Sequence, residues 1–122
     1  MAYGPLTGRT ILIVEDEPLT ALDVHAALRV TGASIISAMD AREAEQLARN
    51  ADISAAILDV GLGGFDCAAT CRALTRRAIP FGFYTGHRAA PVLRAWPHAP
   101  VLRKPASNDQ VVRCVIGLLG LA

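Results

Sequence analysis

Four places in the 122-residue sequence carry groups able to do chemistry, and each closes an apolar run. Glu15-Asp16-Glu17 follows Thr10-Ile11-Leu12-Ile13-Val14, Asp59 follows Ala55-Ala56-Ile57-Leu58, Thr85 follows Phe81-Gly82-Phe83-Tyr84, and Lys104 follows Val101-Leu102-Arg103. Pro18 and one acidic neighbour suit the first turn of a helix. Capping does not explain three consecutive carboxylates, whose repulsion costs about 1 kcal/mol per close pair even in water. A bound cation removes that cost. Carboxylates with a backbone carbonyl and waters make a hard-oxygen site of the kind Mg²⁺ takes, and such a site also binds phosphate. Phosphoryl transfer needs mainly positioning and charge neutralisation. Mg²⁺, the Lys104 ammonium and the Thr85 hydroxyl can each take one phosphoryl oxygen, leaving Asp59 as an in-line nucleophile that becomes an aspartyl phosphate.

The elements that must position these groups are readable from the apolar pattern. The unalternating run that ends on Asp59 is what a parallel strand buried on both faces looks like, and residues 10–14 read the same way. A helix from Leu19 to Val30 has Leu19, Leu22, Ala26 and Val30 marking one face, with Gly32 closing it. Ser34 to Ala38 is a short strand. Asp40 with Glu43 starts a second helix with Ala44, Leu47, Ala48 and Ala51 on one stripe and a Glu45 to Arg49 pair outside. A third helix fits Asp66 to Arg77, with Cys67, Cys71 and Leu74 inward. Phe81 to Gly86 is the fourth strand, and the prolines at 91, 97 and 100 restrict any fourth helix to Pro91 to Trp96. A short strand at Val101-Leu102 precedes a last helix capped by Ser107 or Asn108 and bearing Val111, Val112, Val115, Ile116 and Leu119. Five strand-helix repeats predict an α/β fold, a parallel sheet with helices on both faces. All four chemical sites then fall at carboxyl ends of strands, where open α/β sheets bind ligands. The pattern alone does not bring them together; separate caps and surface charges remain the alternative.

Composition narrows the function classes. Formal net charge is +1, which leaves no electrostatic footprint for nucleic acid. No apolar run approaches the ~20 residues needed to cross a bilayer. The N-terminus lacks the features of a signal peptide, so a cytoplasmic location and a flexible lead-in over residues 1–8 are expected. Three cysteines make no disulfide framework; Cys67 and Cys71 at helical spacing read as core thiols. His25 reads as a packed or surface histidine. Gly61-Leu62-Gly63-Gly64 lacks the Gly-Lys-Ser/Thr ending of a P-loop.

Leu12-Ile13-Val14-Glu15-Asp16-Glu17, Leu58-Asp59-Val60, Tyr84-Thr85-Gly86 and Leu102-Arg103-Lys104-Pro105 together resemble the receiver domain of two-component response regulators, over nearly the whole chain. The resemblance implies a flavodoxin-like (CheY-like) five-stranded sheet of order 2-1-3-4-5 and one receiver domain over residues 9–122 without an output domain. It implies Asp59 as phosphoacceptor from a histidine kinase or histidine phosphotransfer protein. It implies Mg²⁺ held by Asp16, Asp59 and the Gly61 carbonyl with Glu15 assisting through water, phosphoryl contacts from Thr85 and Lys104, and Pro105 as a candidate cis-proline. Two departures stand out. Val101 occupies the place of the usual aromatic switch residue, and Gly63 that of the usual proline. Phe83-Tyr84-Thr85-Gly86 is similar instead to alphaproteobacterial single-domain receivers with a Phe-Ala-Thr-Gly-Tyr-like signature, with His87 where Tyr is common. Gly86, His87 and Val101 thus define the expected switch region.

Output is expected through protein contacts, as phosphate relay, phosphate sink or direct effector. Leu118 and Leu121 extend the apolar surface of the last helix and mark a candidate homodimer or partner face, with ordinary burial as the alternative. The competing class is a receiver-like interaction module that is never phosphorylated. An FMN carrier on the same sheet conflicts with Glu15-Asp16-Glu17, which would repel the phosphate. A haloacid-dehalogenase-like phosphatase needs a carboxylate where Gly61 stands.

Overall fold

The computed structural model describes residues 4–60, 67–86 and 90–121. Five strands alternate with five helices: β1 (Thr10–Val14), α1 (Pro18–Arg29), β2 (Ser34–Ala38), α2 (Ala41–Asn50), β3 (Ala55–Asp59), α3 (Ala68–Arg76), β4 (Phe81–Thr85), α4 (Ala90–Ala95), β5 (Val101–Arg103) and α5 (Asn108–Leu118). All pairings are parallel and the sheet order is β2-β1-β3-β4-β5. The flavodoxin-like order expected from the resemblance is the order observed.

Successive residues of a strand point to opposite faces, and the buried strands split their side chains accordingly. Leu12, Val14, Ala56, Leu58, Phe81 and Phe83 join one core cluster with α2 and α3 residues Ala44, Ala48, Cys71 and Leu74. Ile11, Ile13, Ala55, Ile57 and Tyr84 join the other, with Val24 and Leu28 of α1 and Val111 and Val115 of α5. A strand covered on both sides has no polar face, which is why β1 and β3 read as continuous apolar runs. Gly82 of β4 lies against the β5 side of the sheet. A Cβ there would come within 3.2 Å of the Pro100 carbonyl oxygen and 3.4 Å of Cys114 Sγ, so glycine permits this close approach.

The helix ends follow local chemistry. Pro18 occupies the first turn of α1, and the Glu17 carboxylate caps it by accepting from the Leu19 N–H at 3.0 Å. Gly32, at φ +93°, closes α1 as expected. Asp40 caps α2 by accepting from Glu43 N–H, and Ser107 caps α5 in a reciprocal box with Gln110. The Glu45–Arg49 pair forms on the outside of α2 at 3.3 Å.

Two expectations need correction. Leu19, Leu22, Ala26 and Val30 do share one side of α1, but it is the solvent side: Leu19, Leu22 and Val30 are 72%, 63% and 77% exposed. The face that packs against the sheet and α5 carries Val24, Ala27 and Leu28. Both faces of α1 are apolar, and only tertiary packing selects between them. The N-terminal stretch is not a detached lead-in over its described part either. Leu6 is fully buried in the α1/α5-side core, and its N–H donates to the Thr31 carbonyl at 3.0 Å. One apolar side chain with a place in the core suffices to tie the segment down.

Smaller differences lie at element ends. α3 begins at Ala68 with Cys67 at its N-cap, and Asp66 falls outside the described residues; α4 is one residue displaced from 91–96, and β5 extends to Arg103. Cys67 and Cys71 are buried, as read from their spacing. His25 packs partly exposed, its ring within 2.7 Å of Ser37 Oγ. Leu118 and Leu121 pack, partly buried, against the α1/α5-side core. Among the described residues no helix is long and apolar enough to cross a membrane.

Candidate functional site

The sheet brings the sequence-selected groups to one edge. Glu15 and Asp16 leave the carboxyl end of β1, and Asp59 is the last residue of β3, the strand paired with β1. Thr85 is the last residue of β4, and Lys104 follows β5 with its N–H donating to the Thr85 carbonyl at 2.9 Å. The parallel register therefore converts positions up to 89 residues apart into neighbours.

Lys104 is the hub. Its Nζ donates to Glu15 Oε2 at 2.9 Å and lies 3.1 Å from Asp59 Oδ1 in an ion pair too poorly aligned to count as a hydrogen bond. Glu15 and Asp59 are both buried, 2% and 6% exposed, whereas Asp16 faces solvent. The other Glu15 oxygen accepts from the Glu17 N–H at 3.0 Å. The Thr85 hydroxyl, buried, donates to the Val60 carbonyl at 2.8 Å. Gly86 lies over the Lys104 stem, where a Cβ would stand 3.5 Å from Lys104 Cβ. The Lys104–Pro105 peptide bond is cis.

The three acidic residues sort into different roles once placed. Glu17 is the α1 cap, Glu15 is the buried partner of Lys104, and Asp16 is the exposed carboxylate beside them. Ligand oxygens of Glu15, Asp16 and Asp59 lie within 4.8 Å of one another. Such a donor set of carboxylate oxygens fits Mg²⁺ chemistry.

Electrostatics set the resting state of the site. Burial, then the hydrogen bond and negative charge of Glu15, push the Asp59 carboxyl up to about 7, against the opposing pull of Lys104. For Lys104, burial alone would lower the ammonium, but its contacts with the Glu15 and Asp59 carboxylates outweigh burial and raise it. Lys104 is therefore a fixed cation, while Asp59 sits close to its titration point at neutral pH.

Some expected site residues fall elsewhere. Gly61, whose carbonyl was a candidate ligand, and His87 of the expected switch region lie outside the described residues, as do Leu62, Gly63 and Gly64. Val101 is 41% exposed on β5. Sequence reasoning missed one residue at the site. Tyr84 pairs in register with Asp59, is buried, and places its ring centroid 5.2 Å from Lys104 Nζ while its hydroxyl oxygen accepts from the Ala106 N–H at 3.4 Å. The available signal was a hydroxyl-bearing aromatic inside an otherwise apolar strand, next to Thr85.

Comparison with known proteins agrees with this geometry. Residues 11–115 match the family model of the response regulator receiver domain. Transcriptional regulatory protein TcrA of Mycobacterium tuberculosis is 35% identical over 78 residues, which cover 64% of this chain and 31% of TcrA. The match thus spans about a third of that relative's length. The fold is shared with a response regulator receiver protein from Sinorhizobium medicae, at TM-score 0.81 and 23% identity over 92% of this chain and 94% of the other. It is also shared with the receiver domain of sensor histidine kinase PA1611 from Pseudomonas aeruginosa, at TM-score 0.78 and 24% identity over 93% and 99% of the two chains. That structure is described as holding a magnesium ion coordinated in its active site cleft.

Proposed function

The chain belongs to the response regulator receiver domain family, and from that premise we propose that Asp59 accepts a phosphoryl group from a histidine kinase or histidine phosphotransfer protein in a Mg²⁺-dependent reaction. The observation that carries the reading is the Lys104 ammonium held between the Glu15 and Asp59 carboxylates, at 2.9 and 3.1 Å, beside Asp16. A buried carboxylate with a fixed cation at its oxygen and two acidic neighbours at a strand's carboxyl end has no role in holding the core together.

In the proposed reaction a carboxylate oxygen of Asp59 attacks the phosphorus of the donor's phosphohistidine. The P–O bond forms as the P–N bond breaks, and the electron pair returns to the imidazole nitrogen. Lys104 already stands where it can take one phosphoryl oxygen, in exchange for its contact with Asp59. Thr85 is placed to take another if its hydroxyl turns from the Val60 carbonyl. Glu15, Asp16, Asp59 and the Gly61 carbonyl would hold the metal. When bound, Mg²⁺ supplies neutralisation of the clustered carboxylates and of the incoming phosphoryl charge. Asp59 must be ionised to attack, and Lys104 favours that form.

Output through protein contacts follows from the same reading, with the downstream partner a protein. The solvent-facing stripe of Leu19, Leu22, Ala26 and Val30 starts directly behind the acidic edge and supports a partner contact there. Intact mass after incubation with acetyl phosphate tests the proposal. One phosphoryl adduct is expected in wild type with Mg²⁺, and none in Asp59→Asn or without divalent metal. If neither acetyl phosphate nor a panel of phosphorylated histidine kinases gives the adduct, the chain is a phosphorylation-independent interaction module instead.

A further inference from the structure

Tyr84 touches both the hub of the site and the chain segment that leads into α5. Its position on β4 is opposite Asp59 on β3 and opposite Leu102 on β5. Alternation along β4 sends Phe83 and Thr85 to one side of the sheet and Tyr84 to the other, into the core shared with Val111 and Val115 of α5. The ring is thus clamped between the sheet and α5, 7% exposed. Lys104 Nζ lies 5.2 Å from the ring centroid, within the range of a cation–π contact, and is itself only partly exposed. The phenolic oxygen accepts from the Ala106 N–H at 3.4 Å, a long hydrogen bond that connects the ring to the turn ahead of the Ser107 cap. Tyr84 thus links Lys104 to the sheet and to the start of α5 through one rigid group.

We propose that Tyr84 is a positioning residue for Lys104, its ring face setting where the ammonium stands between Glu15 and Asp59, and that its hydroxyl couples the state of Lys104 to the Ala106 amide at the entrance to α5. The proposal rests on the phosphoacceptor reading for its consequence but not for its geometry. A lysine stem has four rotatable bonds, and its ammonium is a point charge with no directional fork. Two carboxylates attract it but do not fix its height over the sheet. The aromatic face supplies a third, differently oriented attraction that does not compete for the phosphoryl group. When Lys104 moves toward a phosphoryl oxygen on Asp59, it leaves the ring, and the ring loses a reason to hold its present tilt. The long bond to Ala106 is the contact that such a tilt breaks first.

Two substitutions separate the halves of the proposal. Tyr84→Phe keeps the ring and removes the hydroxyl; Tyr84→Leu removes both while keeping an apolar side chain in the core. Three readouts apply to protein shown to be folded by circular dichroism. The Lys104 side-chain Hε resonances should carry an upfield ring-current shift in wild type and Phe, and lose it in Leu. Exchange of the Ala106 amide in the unphosphorylated protein should be faster by about fivefold in both variants. Single-turnover phosphoryl uptake from acetyl phosphate should stay within about twofold of wild type for Phe and fall about five- to tenfold for Leu. A Leu variant with wild-type uptake, a Phe variant as slow as Leu, or an Ala106 amide indifferent to the hydroxyl would overturn the proposal. Should wild type take up no phosphoryl group from acetyl phosphate or from phosphorylated histidine kinases, the phosphoacceptor reading fails, and the resonance and exchange measurements still decide whether Tyr84 holds Lys104 and Ala106.

Discussion

Asp59→Asn should stabilise the folded chain, and the gain should grow as pH rises from 5 to 8 in metal-free buffer. The folded-state carboxyl sits at about 7 against an ordinary value of 3.8, because burial and Glu15 disfavour its charged form more than Lys104 favours it. Between those two values the folded state binds more protons than the unfolded state, so wild-type stability falls as pH climbs through that window, and the loss is complete above about 7. At 1.36 kcal/mol per unit the shift sets a ceiling of about 4 kcal/mol. The cleft opens to solvent at Asp16, and side-chain relaxation there screens the repulsion, which brings the expected gain at pH 8 to about 1–2 kcal/mol. With a urea slope of about 1–2 kcal/mol per molar, the variant's midpoint should lie about 1 M higher at pH 8 and about 0.4 M higher at pH 5, where a little over a third of the loss has set in. His25 contributes an opposite slope, since burial and Arg29 lower its imidazole below 6.5 and favour folding as pH rises toward that value. It is common to both proteins and cancels in the difference. A midpoint difference that is absent, or that shrinks from pH 5 to pH 8, would refute the assignment of Asp59 as an electrostatically disfavoured carboxylate.

Two further outcomes follow from the same structure. Mg²⁺ binding should release close to one proton per site near pH 6, because Asp59 must ionise to act as a ligand, and the release should vanish at pH 8 and in Asp59→Asn; calorimetry in two buffers of different ionisation enthalpy reads this directly, and release that does not depend on pH removes Asp59 from the ligand set. Leu28→Ala, at a fully buried position, should cost about 2–4 kcal/mol in urea unfolding, whereas Leu22→Ala on the opposite face of α1 should stay within about 0.5 kcal/mol; equal costs would contradict the orientation of that helix.

Most of the fold was legible because the central strands are buried on both faces. β1 and β3 announce themselves as near-continuous apolar runs, and the acids that follow β1 and the Asp59 that ends β3 mark the sheet's functional edge in the sequence itself. α2 and α5 were equally readable, since Asp40 and Ser107 are caps by residue type and each helix has one apolar side. α1 was not. Leucine, alanine and valine occur on both of its faces, so the pattern contained two stripes, and only contact with α5 decides which is inside. The three acids after β1 were legible as a cluster but not as individuals. That Glu17 caps a helix while Glu15 binds Lys104 depends on where β5 delivers its lysine, a fact 89 positions removed in sequence. Tyr84 escaped notice for a related reason: its partners, Lys104 and Ala106, come from across a strand pairing rather than from its own neighbourhood.

The charge balance of the site explains why a lysine alone leaves it incomplete. Three carboxylates, Glu15, Asp16 and Asp59, face one ammonium. Lys104 divides its attraction between Glu15 and Asp59, and its pull does not offset burial together with the Glu15 charge, so Asp59 stays raised to about 7 although a cation lies 3.1 Å away. Were Lys104 sufficient, that carboxyl would lie below its ordinary value. With all three carboxylates ionised the cluster is two positive charges short, and an incoming phosphoryl group adds further negative charge. A divalent cation with a preference for oxygen ligands matches both the size and the chemistry of that shortfall, whereas a second lysine would match neither. A cation there would offset the burial and the Glu15 charge that together raise the Asp59 carboxyl, and so would favour its ionised form. The burial that raises the Asp59 carboxyl toward 7 is thus the same feature that makes its charged form sensitive to any added positive charge at the site.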